Sequence, residues 1–501
     1  MIQQNIKYSI FLTLSLTVID IVISTIFNNF YIYSKYTLNQ IIATFILSLI
    51  ISFTTKRFRY IFSIFLLLLN ISEIIFFSFF RAKVEPYHFE VLFSEIEDIL
   101  NSLYSIIPAV SILVSIFIVI SYILFKLSKT INYEHLSANI LITIIVISLI
   151  IYSNFRVFHI SSLNFSYINM LYSLTSFIGN RFKIERVEFK PYIVKRVDKG
   201  IDNVILIVGE SLSSKRMQLF GYKTNNTPNL NRLKSSSNFY FEEILSGGVN
   251  TPVSIVTLFT QKREPQNIDI LKRADTNLIY LADKNGFNTY WLSMQDEGMS
   301  ISSVMKYAKH IKVRKDYPDN SFDEVLIDEL KDINWSRKNF VVIHLRANHS
   351  PYEKYIPKEF KLSNYNKFNY FEYKVNSYSD SIRYVDYLLG DIFNYFKNIK
   401  SDFKIYFVSD HGERLGYKDD NFKYGHSELD FEVAKSPLII YSNKKICIDN
   451  KLRNHYITGK AISRDLGFNI INPNDNNKTY YINGLNIYGK GGFLEYNLTS
   501  I

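Results

Sequence analysis

The chain has 501 residues, long enough for more than one domain, and carries a formal net charge of +11. Its Lys and Arg residues are scattered rather than gathered on any predicted element, which argues against nucleic acid and for attraction to an anionic lipid surface. Cys447 is the only cysteine, so an internal disulfide is excluded.

Mean hydropathy lies near zero, but it averages two unlike compositions. Residues 1–155 are dominated by Ile, Leu, Phe and Ser, while the remainder mixes charges with short apolar runs. Five apolar stretches, at about 8–28, 38–55, 60–80, 106–126 and 138–154, are long enough or nearly so to cross a bilayer. The first is too long, and followed by too many others, for a cleaved signal peptide. Lys56-Arg57-Phe58-Arg59 separates the second and third stretches, and Lys126 and Lys129 fall between the fourth and fifth. The positive-inside rule puts both connections and the amino terminus, with Lys7, in the cytoplasm. Everything after about residue 155 is then outside. Arg81 and Lys83, opening the second external loop, run against this orientation.

Asp20 and Glu73 fall within the spans. Intramembrane carboxylates are costly and pose a functional question, the alternative being protonated or paired groups facing the bundle. The loop at about 85–105 contains Leu92, Phe93, Ile96, Ile99 and Leu100 at helical spacing, with Glu90, Ser94 and Asp98 on another face. This predicts an interfacial helix whose acidic face is either solvated or receives an ammonium headgroup. Residues 156–200 mix basic and apolar side chains and read as a linker along the membrane surface.

From 201 onward, strands alternate with helices. Strands are expected at 203–208, 288–293, 340–345, 404–409 and 437–441, with helices at Thr276–Asn285, Phe322–Lys331 and Val375–Lys397. The alternation predicts an α/β sandwich on a mainly parallel sheet. The first strand runs into Gly209-Glu210-Ser211, and that at 404–409 into Asp410-His411-Gly412-Glu413. Carboxylates and an imidazole at the C-terminal ends of such strands lie where open α/β sheets bind ligands, and Zn²⁺ accepts both donor types. Asn250-Thr251-Pro252 starts an apolar helix, with Thr as N-cap and Pro at the first helical position. Thr251 either caps this helix or is a nucleophile at its N-terminus, where a phosphate is favoured. His349 and His426 are either surface residues or ligands, each on a connection that could reach the same sheet edge, whereas His344, inside its strand, reads as a core residue.

Taken together, these stretches resemble the membrane phosphoethanolamine transferases of the alkaline phosphatase and sulfatase superfamily, a group that includes lipid A-modifying enzymes linked to polymyxin resistance. The resemblance spans nearly the whole chain. It rests on Val208-Gly209-Glu210-Ser211, Leu219 to Tyr222, Asn226 to Leu230, Asn250 to Ser254, Trp291 to Gln295, Asn376 to Asp386 and Ser409 to Glu413. Met294 stands where Asn is commoner, and the lack of disulfides is a larger departure.

The resemblance implies Glu210, Thr251, Asp410 and His411 as ligands of one zinc ion, with Thr251 also the nucleophile. It implies that His349 and His426 hold the phosphoryl group, a second zinc or the leaving-group proton. Glu90, Ser94 and Asp98 would face the ethanolamine end, position 90 departing most from the family pattern. The implied donor is phosphatidylethanolamine and the implied acceptor lipid A, lipopolysaccharide or another envelope glycan. The implied location is the bacterial inner membrane, with the catalytic domain on the periplasmic side. Phosphoglycerol transfer and a catalytically inactive membrane scaffold are the alternatives. Sulfatase chemistry is disfavoured because Thr replaces the Cys/Ser-x-Pro-x-Arg nucleophile pattern.

Overall fold

The computed structural model describes residues 2–26, 37–80, 83–84, 88–89, 107–132, 134–155, 165–180, 190–198, 200–261, 263, 275–296, 299–363, 365, 369–420, 422–426, 429–448, 451–473, 479–484 and 492–498. The chain divides into two compact units, Met1–Ile184 and Glu185–Ile501. Glu90, Ser94 and Asp98, with the helix expected around them, lie outside the described residues.

The first unit contains α1 (Ile2–Ile26), α2 (Thr37–Ser52), α3 (Lys56–Phe80), α4 (Ile107–Thr130), α5 (Leu136–Phe155) and α6 (Ser166–Asn180). The first five fall on the five predicted apolar stretches. Among the described residues, Lys56–Phe77 and Ser111–Thr130 are long and apolar enough to cross a bilayer, while Leu38–Ser52 and Leu136–Ser148 are shorter apolar helices. Among the described residues of this unit, many apolar side chains face outward while several polar ones are buried beside an apolar core. Ile112, Ile118, Val119, Leu136 and Ile140 are exposed, whereas Asn5, Ser9, Ser48 and Ser52 are buried. Asn5 Nδ2 donates to the Ser52 carbonyl at 2.9 Å, a polar contact that joins α1 to α2. The α2–α3 and α4–α5 connections lie side by side. His135 N donates to the Phe53 carbonyl at 2.8 Å, and Arg59 Nη2 pairs with Glu134 Oε1 at 2.8 Å.

The second unit is built on a seven-stranded sheet of β1 (Asn203–Gly209), β2 (Phe239–Leu245), β3 (Asn288–Ser293), β4 (His310–Lys312), β5 (Asn339–His344), β6 (Phe403–Ser409) and β7 (Lys435–Ser442). Their order is β2-β7-β6-β1-β5-β3-β4. β1 pairs in parallel with both β5 and β6, and only β7 runs against its neighbours. Every residue of β1 and β5 is buried, as expected of a strand covered on both faces. Ile205, Ile207, Val341 and Ile343 pack on the face covered by α10 (Tyr370–Phe396), with Tyr378, Ile382, Val385 and Leu389. Val204, Leu206, Val208 and Val342 face α7 (Thr251–Thr260), α8 (Leu278–Lys284) and α11 (His455–Asp465), where Ile255, Phe259, Leu281 and Ile462 fill the opposite core. α9 (Val325–Lys331) adds Leu326 and Leu330 to the α10 face. Thus β1, β5, β6 and β3 all deliver their C-terminal ends to one edge.

Candidate metal centre

β1 stops at Gly209, and the chain turns sharply through Glu210 and Ser211. Ser211 holds φ at +51°, a left-handed conformation unusual for a residue with a Cβ. Its surroundings fix the turn. Ser211 N donates to Asp410 Oδ1 at 2.9 Å, and the Ser211 carbonyl accepts from the Tyr378 hydroxyl of α10 at 2.7 Å. Asp410 follows β6, and its Oδ1 also accepts from His411 N at 2.7 Å. The two strand ends are therefore locked to each other through the carboxylate itself.

The sequence predicts Thr251 as the cap of α7; the structure corrects this. Asn250 is the N-cap, its Oδ1 accepting from Val253 N at 3.1 Å, and Thr251 is the first helical residue. Its hydroxyl is thus not used as a cap. Thr251 Oγ1 donates to Asp410 Oδ2 at 2.6 Å and lies 3.1 Å from Glu210 Oε2. Gly248 lets the chain pass close to this helix start, because a Cβ there would lie 2.5 Å from Val253 Cγ1.

Ligand atoms of Glu210, Asp410 and His411, all buried, fall within 4.8 Å of one another. His411 Nδ1 lies 2.8 Å from the Gly412 carbonyl, which accepts the ring proton there and leaves Nε2 to present a lone pair. Among the described residues, Nε2 has no hydrogen-bond partner and faces Asp410 Oδ2 at 3.4 Å and Glu210 Oε1 at 3.8 Å. A buried lone pair opposite two carboxylates is repulsive unless a cation sits between them. Burial would pull His411 down, but the charges of Asp410 and Glu210 push it up, so the two carboxylates favour a positive charge at Nε2, which a proton or a metal ion can supply. Burial would push Glu210 up, but the imidazoles of His349 and His411 and the Ser211 hydroxyl outweigh it and hold the carboxyl low. Asp410 is pushed up by burial and then by the charge of Glu210. Two oxygens, one imidazole nitrogen and the adjacent hydroxyl are a donor set that suits a zinc ion. The residues fit the group.

His426 and His349 flank this centre. His426 lies over His411 with ring centroids 4.2 Å apart, and its Nδ1 is 2.8 Å from Glu413 Oε2. Glu413 Oε1 accepts from the Tyr352 hydroxyl at 2.7 Å. Burial would raise Glu413, yet His426, Lys374 and Tyr352 together hold it below the usual range, so it stays ionised and orients the imidazole. His411, Glu413 and His426 form a second group within 4.8 Å. His349 Nδ1 lies 2.8 Å from the Ser350 carbonyl, and its ring stands edge-on to Tyr355 at 5.6 Å. His344 is fully buried beside Trp291 and Ser293, as a core residue should be.

Three functional groups were not singled out as site residues from the sequence. Gln295 ends the strand region after β3, and its Nε2 donates to Glu210 Oε2 at 2.7 Å. Glu413 stands in the same run as Asp410 and His411, so its position was the available signal. Tyr378 orients the Ser211 turn from α10, a contact between residues 167 apart that no local pattern encodes.

A doubly covered, mainly parallel sheet with two carboxylates and an imidazole at its edge defines an alkaline phosphatase/sulfatase-type domain. The chain belongs to the Sulfatase family, whose match covers residues 202–455. It is 25% identical over 293 residues to phosphoethanolamine transferase EptA of Helicobacter pylori, covering 54% of each chain. The chain spans about half the length of the curated relatives it matches. Among solved structures, the integral membrane lipooligosaccharide phosphoethanolamine transferase A (EptA) of Neisseria meningitidis shares the fold, with a TM-score of 0.63 at 14% identity over 93% of this chain and 95% of that one. The C-terminal periplasmic domain of EcEptC from Escherichia coli, solved also in complex with Zn, gives a TM-score of 0.52 at 18% identity over 62% of this chain and 97% of that one.

Proposed function

We propose that this chain transfers phosphoethanolamine from phosphatidylethanolamine to an envelope acceptor, lipid A or another lipopolysaccharide or glycan group. It works as a five-span protein of a bacterial inner membrane, with residues 201–501 as a periplasmic catalytic domain and the bridge between the two confined to the part of 156–200 that follows α6. The carrying observation is the Thr251 hydroxyl, held 2.6 Å from Asp410 Oδ2 and 3.1 Å from Glu210 Oε2, beside the His411 lone pair. The EptA relative and the Zn complex of the EcEptC domain support the reaction class and the metal. The outward-facing apolar helices support the membrane location.

Glu210, Thr251, Asp410 and His411 would hold one zinc ion, His411 through Nε2 because its Nδ1 proton is committed to the Gly412 carbonyl. When bound, zinc lowers the pKa of the Thr251 hydroxyl and screens the charge that develops on the phosphoryl oxygens. The chain's own residues do the rest. Asp410 Oδ2 is placed to take the Thr251 proton. Oγ1 then forms a bond to phosphorus as the bond to the diacylglycerol oxygen breaks. His426, oriented by Glu413, gives that oxygen a proton, and His349 holds the phosphoryl group. In the second half the acceptor oxygen yields its proton to His426 and bonds to phosphorus. The Thr251–phosphorus bond breaks and Thr251 regains its proton. The first helical turn of α7 favours the negative phosphoryl group throughout. Glu90, Ser94 and Asp98 are proposed to receive the ethanolamine ammonium.

The test is mass spectrometry of the peptide containing Thr251 after incubation with phosphatidylethanolamine. A phosphoethanolamine adduct on Thr251, absent in Thr251→Ala together with transfer, is expected. Wild-type turnover by Thr251→Ala would sink the scheme. An adduct formed from phosphatidylglycerol instead would favour phosphoglycerol transfer.

A further inference from the structure

Beyond β5 the chain continues through Leu345 to Arg346, which lies at the same sheet edge as the metal centre. Leu345 N donates to the Val208 carbonyl at 2.9 Å, and the Leu345 carbonyl accepts from Gln295 Nε2 at 3.0 Å. Gln295 Nε2 also reaches Glu210, so Asp296 directly follows a residue that touches the centre and Arg346 directly follows the residue bonded to it. The backbone at Arg346 is fixed from below. The Arg346 and Ala347 N–H groups donate to the buried Asp323 carboxylate, at 3.1 and 3.0 Å to Oδ2. The guanidinium lies 4.5 Å over the Tyr355 ring, and that ring meets His349 edge-on at 5.6 Å. Tyr355 therefore forms one wall that sets both the cation and the imidazole.

The Arg346 side chain is 10% exposed, and its Nη1 pairs with Asp296 Oδ2 at 3.3 Å. The Asp296 side chain is 59% exposed. A carboxylate that wet contributes little to holding the arginine, so another anion can displace it at small cost. The centre itself is rich in buried carboxylates: Glu210, Asp410 and Glu413. An acceptor that is also anionic has to be met by a cation to approach them. Lys374 is also near, but it is 2% exposed, with its ammonium on Ser350 Oγ at 2.9 Å and 4.4 Å over the Tyr352 ring. Arg346 is the better placed, and its planar fork matches a phosphate in a bidentate pair.

Resting on the transferase reading, we propose that Arg346 is the residue that selects a phosphate monoester as acceptor, with Asp296 as the displaceable anion that holds its place before the acceptor binds. The phosphate exchanges with Asp296 on the guanidinium, and one of its oxygens is thereby presented to the phosphorus carried by Thr251. A sugar hydroxyl acceptor gains nothing from this contact.

The test uses the full chain in detergent with phosphatidylethanolamine, and two acceptor probes: lipid A and the same glycolipid after phosphatase treatment. A second readout is diacylglycerol release without acceptor. With Arg346→Met, the KM for lipid A should rise about tenfold or more, the scale of a lost charge-assisted pair. Transfer to the dephosphorylated glycolipid and diacylglycerol release should each change less than about threefold. Arg346→Lys should fall between, and Asp296→Asn should lower the KM for lipid A. The proposal is overturned if Arg346→Met leaves the lipid A KM within about twofold of wild type, or if it depresses both acceptors and diacylglycerol release alike. A wild-type protein that releases no diacylglycerol would instead remove the transferase reading itself, and the proposal with it.

Discussion

The two units surround their buried carboxylates differently. In the helical unit, Asp20 is surrounded by donors: its Oδ1 accepts from Ser166 Oγ at 2.5 Å and its Oδ2 from Ser166 N at 2.8 Å. Asn70 Nδ2 adds a third donor to Oδ2 at 3.3 Å. Glu73 Oε1 likewise accepts from Asn169 Nδ2 at 2.8 Å and Val84 N at 3.1 Å. Both tie α6 to the preceding helices, Asp20 at the first turn of α6 and Glu73 through Asn169 within it. In the α/β unit, Glu210 and Asp410 also accept from donors, Gln295 Nε2 and Thr251 Oγ1 among them, but in addition both face the His411 ring nitrogen Nε2, which carries no such donor to them. A buried carboxylate whose neighbours are all donors holds a fold together; one that also faces an acceptor is waiting for a cation. Burial alone, which is 4% for Asp20 and 1% for Asp410 in exposed fraction, does not separate the two roles.

The comparison breaks most visibly at the centre. Asp410→Asn or His411→Ala should lower transfer about a thousandfold or more, since either change removes a ligand and the charge that steadies the reacting phosphoryl group. A loss under about tenfold, measured with labelled phosphatidylethanolamine, would put these residues in the same structural class as Asp20.

Lys374 sharpens the contrast from the side of the cations. Burial, only partly offset by Glu413 and Glu353, lowers its pKa to about 8. The folded chain therefore loses this proton before the unfolded chain does, and stability rises with pH between about 8 and the ordinary lysine value. Below that window the buried charge costs up to about 3 kcal/mol. Lys374→Met should be the more stable protein at pH 7, with its advantage shrinking towards pH 10.5. Thermal unfolding of both proteins at the two pH values checks this, and a constant difference would contradict it.

The smallest effect belongs to Asp20. Asp20→Ala removes the partner of Ser166 N and Oγ and should lower stability by about 1–3 kcal/mol, with bound metal unchanged. Loss of metal in this variant would blur the distinction between the two units.

Much of this arrangement was legible beforehand, and the limits have physical causes. The five principal strand regions were readable because both faces of a covered parallel sheet demand unbroken apolar runs, as in Val204 to Val208. β2 was not anticipated: its polar-interrupted run, with Glu242 and Glu243, is half-buried next to the reversed strand β7. The segment expected as a linker contains α6, whose Asn169 and Ser173 are buried; its polar residues look like a surface pattern until Glu73 and the Val84 carbonyl are seen to bind them. At the site, Glu210, Asp410 and His411 were visible because a strand end announces where its next residues go. The capping assignment of Thr251 missed by one position because Asn250 and Thr251 are both good caps, and only the tertiary pull of two carboxylates decides between them. Gln295 does not read as a site residue from the sequence, since its contact with Glu210 depends on β3 lying one strand away from β1, across β5.

Metal analysis of the purified full chain tests the central claim most directly. Exchanged into metal-free buffer, the wild-type protein should retain about one equivalent of zinc or more per chain, and Asp410→Asn should retain none. A folded wild-type protein free of zinc, or an Asp410→Asn variant that keeps its full complement, would contradict a centre built around Thr251.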